Sequence, residues 1–211
     1  MMKKAEIIRG YFPHFSEEQA SRFDAMLRLY PEWNAKINVV SRKDIENLEV
    51  NHLLHSLSIA KFLEFTAGSR ILDLGTGGGL PGIPLAVAMP EVFFTMIDRT
   101  GKKIIVAESI ASELNIENVK FIHGDAVDLK DKFDFIVSRA VMPQKDLLKI
   151  CRPLISKEQQ NALPNGLIAL KGGDLHTEMS GLEKRSLIVP VGQYFSEPYF
   201  DGKSIVYTEC C

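Results

Sequence analysis

Apolar positions recur at helical spacing through the first third of the chain, then change near residue 70 to short apolar runs. Ser16 followed by Gln19 makes a capping-box pattern, and Ala20, Phe23, Met26, Leu27 and Tyr30 then fall on one helical face. Pro31 predicts a kink or break near its position, because the ring removes an N–H and crowds the preceding turn. Leu53, Leu54, Leu57, Ile59, Ala60 and Leu63 predict a further helix over about 51–64. Residues 1–66 therefore read as mostly helical, with stripes suited to core packing.

Beyond residue 70, RILDLG (70–75) reads as a strand ending in a glycine loop, followed by a helix from about Gly82 to Met89. VFFTMI (92–97), KFIH (120–123), FDFIVS (133–138) and GLIAL (166–170) predict four more strands, with helices at 101–114, closed by Asn115, and near 143–151. Strands alternating with helices imply parallel crossovers and a doubly wound α/β sheet. The tail breaks the alternation. A helix at 174–184 is expected, then strand-like runs near 186–191, 193–196 and 204–208 that suit an antiparallel hairpin on the sheet edge. A length of 211 residues suits one domain, a helical extension over 1–66 and an α/β core over 67–211.

Composition narrows the class. The chain is 45% hydrophobic and 25% charged, as soluble globular proteins are, and contains no apolar run long enough for a membrane span. The N-terminal MMKKAEIIRGYF lacks the apolar region of a signal peptide, so a cytoplasmic location is expected. A net charge of −2 removes the compositional argument for a nucleic-acid partner. Basic clusters at Arg99, Lys102, Lys103 and at Lys145, Lys149, Arg152 are ordinary for solvated faces, so RNA must be argued from elsewhere. Cys151, Cys210 and Cys211 show no ligand spacing and read as reduced thiols. His52 and His55 share a helical face, but no cysteine or carboxylate cluster accompanies them, and no metal site is expected.

The informative stretch is ILDLGTGGGLPG (71–82). Gly75, Gly77 and Gly79 fall where a strand turns into a helix, and glycines there permit positive φ and let a ligand lie against the backbone. Ligands of parallel α/β sheets bind beyond the strand C-termini. Residues 77–82 also match the GxGxxG of dinucleotide folds, but counted from Gly75 the third glycine slot holds Leu80. Asp73 disfavours that alternative: a carboxylate there repels pyrophosphate and suits a cationic amine. Asp98 ends the second strand, 23 positions after Gly75, placed to accept from both hydroxyls of a ribose. Asp125 follows the third strand.

The order apolar-Leu-Asp-Leu-Gly-x-Gly-x-Gly resembles the first motif of class I S-adenosylmethionine-dependent methyltransferases. With GTGGGLPGIP (75–84), VSRA (137–140), LKGG (170–173), WNAKINVV (33–40) and HLLHSL (52–57), the chain resembles the glucose-inhibited division protein B family over about residues 20–175. Members of that family methylate guanine N7 in bacterial 16S ribosomal RNA. The resemblance implies a mostly parallel, seven-stranded, Rossmann-like methyltransferase sheet. It also implies S-adenosylmethionine contacts from Asp73, Gly75, Thr76, Gly77, Gly79 and Leu80, with Asp98 on the ribose and Asp125, Ala126 and Val127 at the adenine edge. Arg139 would lie beside the cofactor and pair with guanine or phosphate, or else with Asp73 or Asp98; Lys171 would contact phosphate or base, or be an ordinary surface lysine. The implied partner is 16S RNA or the 30S subunit, met by a monomer.

The chain departs from the family pattern at Leu80, commonly Phe, at Asn51, commonly basic, at His55, often Asp, and at Arg99, usually Ser. The chemistry agrees with what is missing. Guanine N7 carries no proton, so alignment rather than a general base supplies the rate. No Asn/Asp-Pro-Pro-aromatic motif follows the fourth strand, and the nearest cysteine, Cys151, ends the next helix. A methyltransferase of proteins or small molecules, a nicotinamide oxidoreductase and a noncatalytic RNA-binding module are the competing readings.

Overall fold

The computed structural model describes residues 4–41, 43–139 and 142–210; Ala140 and Val141 of the motif after the fourth strand, and Cys211, lie outside the described residues. Helix α1 (Glu6–Tyr11) precedes α2 (Glu17–Asn34), whose start is a complete capping box between Ser16 and Gln19. α2 is not broken at Pro31 but runs past it to Asn34, since a proline in the last turn forfeits only one hydrogen bond. The helix expected over 51–64 opens with a π-helical segment, Glu49–Leu54, before α3 (His55–Phe62).

Then come β1 (Arg70–Leu74), α4 (Gly82–Ala88), β2 (Phe93–Asp98), α5 (Gly101–Glu113), β3 (Val119–His123), β4 (Phe135–Arg139), α6 (Gln144–Cys151) and β5 (Gly166–Gly172). Asn115 takes a φ of 51° just beyond α5, the left-handed conformation that ends a helix. After β5 the helix expected at 174–184 shrinks to α7 (His176–Met179) and a 3-10 turn at Glu183–Arg185. β6 (Ser186–Pro190) and β7 (Lys203–Glu209) pair antiparallel. The run at 193–196 is not a strand. Val191 and Phe195 are buried there, so its apolar residues pack as a loop against the core.

The sheet order is β3-β2-β1-β4-β5-β7-β6, so the chain's last strand enters between β5 and β6. β1 to β5 are parallel, and β7 runs antiparallel to β5 with Gly172 opposite Lys203. The order reverses between β1 and β4, which opens a crevice at their C-terminal ends. Successive residues of β1 face opposite sides: Ile71 joins a core shared with α2, α3, α4 and α5, and Leu72 one shared with α6.

The N-terminal helices are tied to this sheet by polar caps as well as by packing. Gln19 Nε2 donates to the carbonyls of Val87 and Ala88 at the end of α4, and Arg22 Nη2 to that of Asn115. Tyr30, wholly buried, donates to the Gly78 carbonyl at 3.0 Å. A Cβ on Gly78 would lie 2.7 Å from that of Val39, so the extension rests directly on the glycine turn.

Candidate functional site

The turn after β1 is shaped by its carboxylate. Asp73 is fully buried, and its Oδ2 accepts from the Thr76 hydroxyl at 2.6 Å and from the Gly82 N–H at 2.8 Å. Gly82 is needed for that approach, because a Cβ there would lie 2.7 Å from the same oxygen. Gly75, Gly77 and Gly79 have φ of 72°, 57° and 92°, a region that side-chain-bearing residues rarely adopt. Asp98, at the tip of β2, closes the turn from the other side: its Oδ2 accepts from Gly77 N at 2.9 Å and its Oδ1 from Thr100 N at 2.8 Å.

Two cavities share Gly75 and Asp98 as a common wall. The smaller, about 170 Å³, is lined by Leu74, Ile97, Ala126, Met142 and Ile150, with Asp125 and Arg99 at its polar edge. Asp125 pairs with Arg99 and accepts from the Val127 N–H. Ala126 is buried in the wall, whereas the Val127 side chain is 65% exposed. The larger cavity, about 470 Å³, is lined by Thr76, Gly77 and Leu80 and by the polar side chains of His52, His55, Asp98, Lys103, Arg139, Lys171 and Lys203. Gly79 stands back from both, its α-carbon pressed on Ile83, which a Cβ would meet at 2.3 Å.

Asp73 sits beneath the turn rather than in the open cavity, and its Oδ1 is buried without a hydrogen-bond partner among the described residues. Burial lifts its pKa to about 6, against the pull of the Thr76 and Gly82 hydrogen bonds and of Arg139. An orphaned carboxylate oxygen suits a nearby cation, and the apolar slot with an acid at its rim suits an adenine ring. The residues present therefore fit S-adenosylmethionine.

Arg139 ends β4 and is partly exposed. Among the described residues neither Asp73 nor Asp98 forms an ion pair with it; its Nη1 donates to His52 Nδ1 at 2.7 Å instead. Burial pushes the guanidinium below its ordinary pKa, with Tyr199 and Asp73 opposing the shift. Lys171 is committed as well: its Nζ is 2.8 Å from Glu178 Oε1 and donates to the Met142 carbonyl at 2.6 Å. His52 and His55 are both pushed down to about 3, first by burial and then by the Arg139 cation, and stay neutral at physiological pH.

Sequence reasoning assigned no role to His52, His55, Tyr199 or Lys203 in this cavity. The histidines carry a signal, since they lie three apart on one helical face; Tyr199, in a 3-10 turn ahead of β7, and Lys203, at the start of β7, carry none, because the pairing of β7 with β5 sets where that stretch of chain lies. Among the described residues no group of three or more histidine, cysteine or carboxylate side chains is placed to hold a metal. No helix is long and apolar enough to cross a membrane, again among those residues.

Comparison with known proteins gives the family. The family described as GidB, rRNA small subunit methyltransferase G, matches residues 17–197. The chain is 52% identical over 204 residues to ribosomal RNA small subunit methyltransferase G of Bacteroides thetaiotaomicron, covering 97% of this chain and 99% of that protein. It is 53% identical over 203 residues to the protein of the same name from Porphyromonas gingivalis, covering 96% and 92%. Among solved structures, a SAM-dependent methyltransferase from Aquifex aeolicus superposes with a TM-score of 0.52 at 19% identity, over 72% of this chain and 88% of that one, a likeness of fold. Glycine turn, acids and near-complete coverage lead to one assignment: the chain belongs to the GidB family of rRNA small subunit methyltransferases.

Proposed function

We propose that this chain, acting as a single cytoplasmic unit and as a monomer, methylates N7 of a guanine in small-subunit ribosomal RNA, alone or in the 30S particle. Bound S-adenosylmethionine supplies an electrophilic methyl group on a sulfonium. The protein's part is alignment. Gly75, Thr76, Gly77, Gly79 and Leu80 form or back the cradle, and Asp98 stands between the two cavities, where a ribose joins adenine to the reacting end. Asp125, with the backbone at Ala126 and Val127, borders the adenine slot. Asp73, buried beneath the turn, would draw the amine toward it through its unpartnered oxygen.

The observation that carries the reading is the donor-rich lining of the larger cavity, whose carboxylate, Asp98, is already engaged by the Gly77 and Thr100 N–H groups. Burial and the Arg139 cation hold His52 and His55 well below the ordinary imidazole range, which makes them weak bases, and Arg139 and Lys171 are donors. A wall of weak bases and donors suits an acceptor that is already a free lone pair and needs no proton removed. An arginine that donates to guanine O6 orients the base and leaves the N7 lone pair free to take the methyl group.

The test offers labelled cofactor to naked 16S RNA, 30S particles, protein extract and metabolite pools, and maps the label. Label at one guanine, released by chemistry selective for 7-methylguanine, is expected; label confined to protein or metabolites overturns the reading. Arg139→Ala is expected to lower kcat/KM by roughly tenfold or more, the worth of a charged hydrogen bond, with the fold left intact. Full turnover in that variant removes Arg139 from the site.

Asp73→Asn separates folding from binding. The amide oxygen can still accept from Thr76 and Gly82, while the buried charge is gone. Because the folded pKa lies above the free value of 3.8, ionised Asp73 destabilises the fold as pH rises through about 6. At pH 7 the variant is expected to match the wild type in urea unfolding or exceed it by up to about 3 kcal/mol. Its affinity for S-adenosylhomocysteine should fall, and unchanged affinity would show that the orphaned oxygen does not serve the amine.

A further inference from the structure

We propose that Lys203, set by Tyr199 and Gly172, is a seat for an RNA phosphate at the C-terminal lip of the larger cavity. The inference rests on the functional reading above and names a contact that the reading leaves open. Tyr199 and Lys203 lie beyond residues 17–197, where the family match ends.

The lysine is held in place by its surroundings. Lys203 starts β7 opposite Gly172, the last residue of β5. A Cβ on Gly172 would lie 3.0 Å from Lys203 Nζ and 3.1 Å from its Cδ, so the glycine leaves the trough in which the stem lies. The ammonium sits 5.2 Å from the centre of the Tyr199 ring, an arrangement that steadies a cation without neutralising it. The other side of that pocket wall is His55, whose ring meets Tyr199 edge-on at 5.8 Å and is kept neutral.

What marks Lys203 is the missing counter-charge. Lys171, on the same wall, is paired with Glu178 and a carbonyl. Among the described residues no carboxylate lies within ion-pair distance of Lys203. His55, 5% exposed, lines the same cavity with neither ring nitrogen hydrogen-bonded. A held cation beside unused hydrogen-bonding capacity is a wall awaiting an anion. The acids and the glycine turn mark the cofactor end of the cavity, and Lys203 approaches from the opposite, β5–β7 side. The anion available there is the acceptor's phosphate, which a lysine binds as a point charge.

The experiment compares wild type, Lys203→Ala, Lys203→Arg and Gly172→Ala in binding a 16S RNA transcript over a range of salt, with S-adenosylhomocysteine affinity measured in parallel. Losing one phosphate contact should flatten the slope of log affinity against log salt by about 0.7–0.9 in Lys203→Ala. Lys203→Arg should keep the slope, and Gly172→Ala, which crowds the lysine without removing charge, should weaken RNA binding. Cofactor affinity should not move. An unchanged slope in Lys203→Ala overturns the seat. A loss of S-adenosylhomocysteine affinity instead assigns Lys203 to the cofactor carboxylate and overturns it equally. Wild-type protein that binds the transcript with no salt dependence defeats the RNA reading itself, an outcome separate from either of these.

Discussion

Asp98→Ala should lower the affinity for S-adenosylhomocysteine by about a hundredfold or more, roughly 2.7 kcal/mol. The carboxylate holds the Gly77 N–H at 2.9 Å and the Thr100 N–H at 2.8 Å, so it links the glycine turn to the start of α5. Each hydrogen bond to a charged acceptor is worth about 1.5–3 kcal/mol, and the ribose hydroxyls draw on the remaining lone pairs. The variant therefore loses the ligand's anchor and the shape of the cradle together. Asp98→Asn keeps an acceptor oxygen and should recover part of the loss. Calorimetric titration of both variants decides the point; an Asp98→Ala affinity within a few-fold of wild type would take this carboxylate out of the ribose site.

Acidification should weaken the fold well before ordinary carboxylates titrate. His52 and His55 have folded pKa values of about 3 against a free value of 6.5, because burial and Arg139 oppose a second cation, with Lys203 adding to the effect at His55 and Asp44 offsetting it at His52. The unfolded chain thus binds two more protons than the native one between those limits, and stability rises with pH across that interval. Asp73 acts in the opposite sense between 3.8 and about 6, where the native state holds the extra proton. The balance from pH 4 to 6 is one proton, or roughly 1.4 kcal/mol per pH unit. Urea unfolding at intervals from pH 7.5 to 4.5 should show that decline, and replacing both histidines with Asn or Gln should reverse it below about pH 6, where Asp73 alone then sets the slope. Wild-type stability that is level over the whole range would mean that the histidines are not held neutral.

The parallel half of the fold and its glycine turn were readable because each strand is a short apolar run ending in a polar tip. Asp73, Asp98 and Asp125 fall at or near the ends of three neighbouring strands, and the structure gathers Asp98 and Asp125 around one slot, with Asp73 buried beneath the glycine turn. Local patterning failed where tertiary packing decides. The run at 193–196 has the composition of a strand, but Phe195 goes to the core and no neighbour pairs with it. The 174–184 segment yields only α7 and a short turn. Arg139 was read as a partner for a carboxylate or a substrate; its hydrogen bond to His52 joins residues 87 apart, a contact that no spacing rule reports. Lys203 enters the cavity by the same long-range route, through β7.

The hydroxyl of Tyr30 and the side chain of Val39 bear on Gly78, so the first forty residues are a brace for the methyl-donor loop as well as a prefix to it. A shortened chain starting at the first strand would leave that loop unsupported on one flank. Grafting a different leader onto this sheet would therefore disturb the glycine turn as well as the packing of the extension.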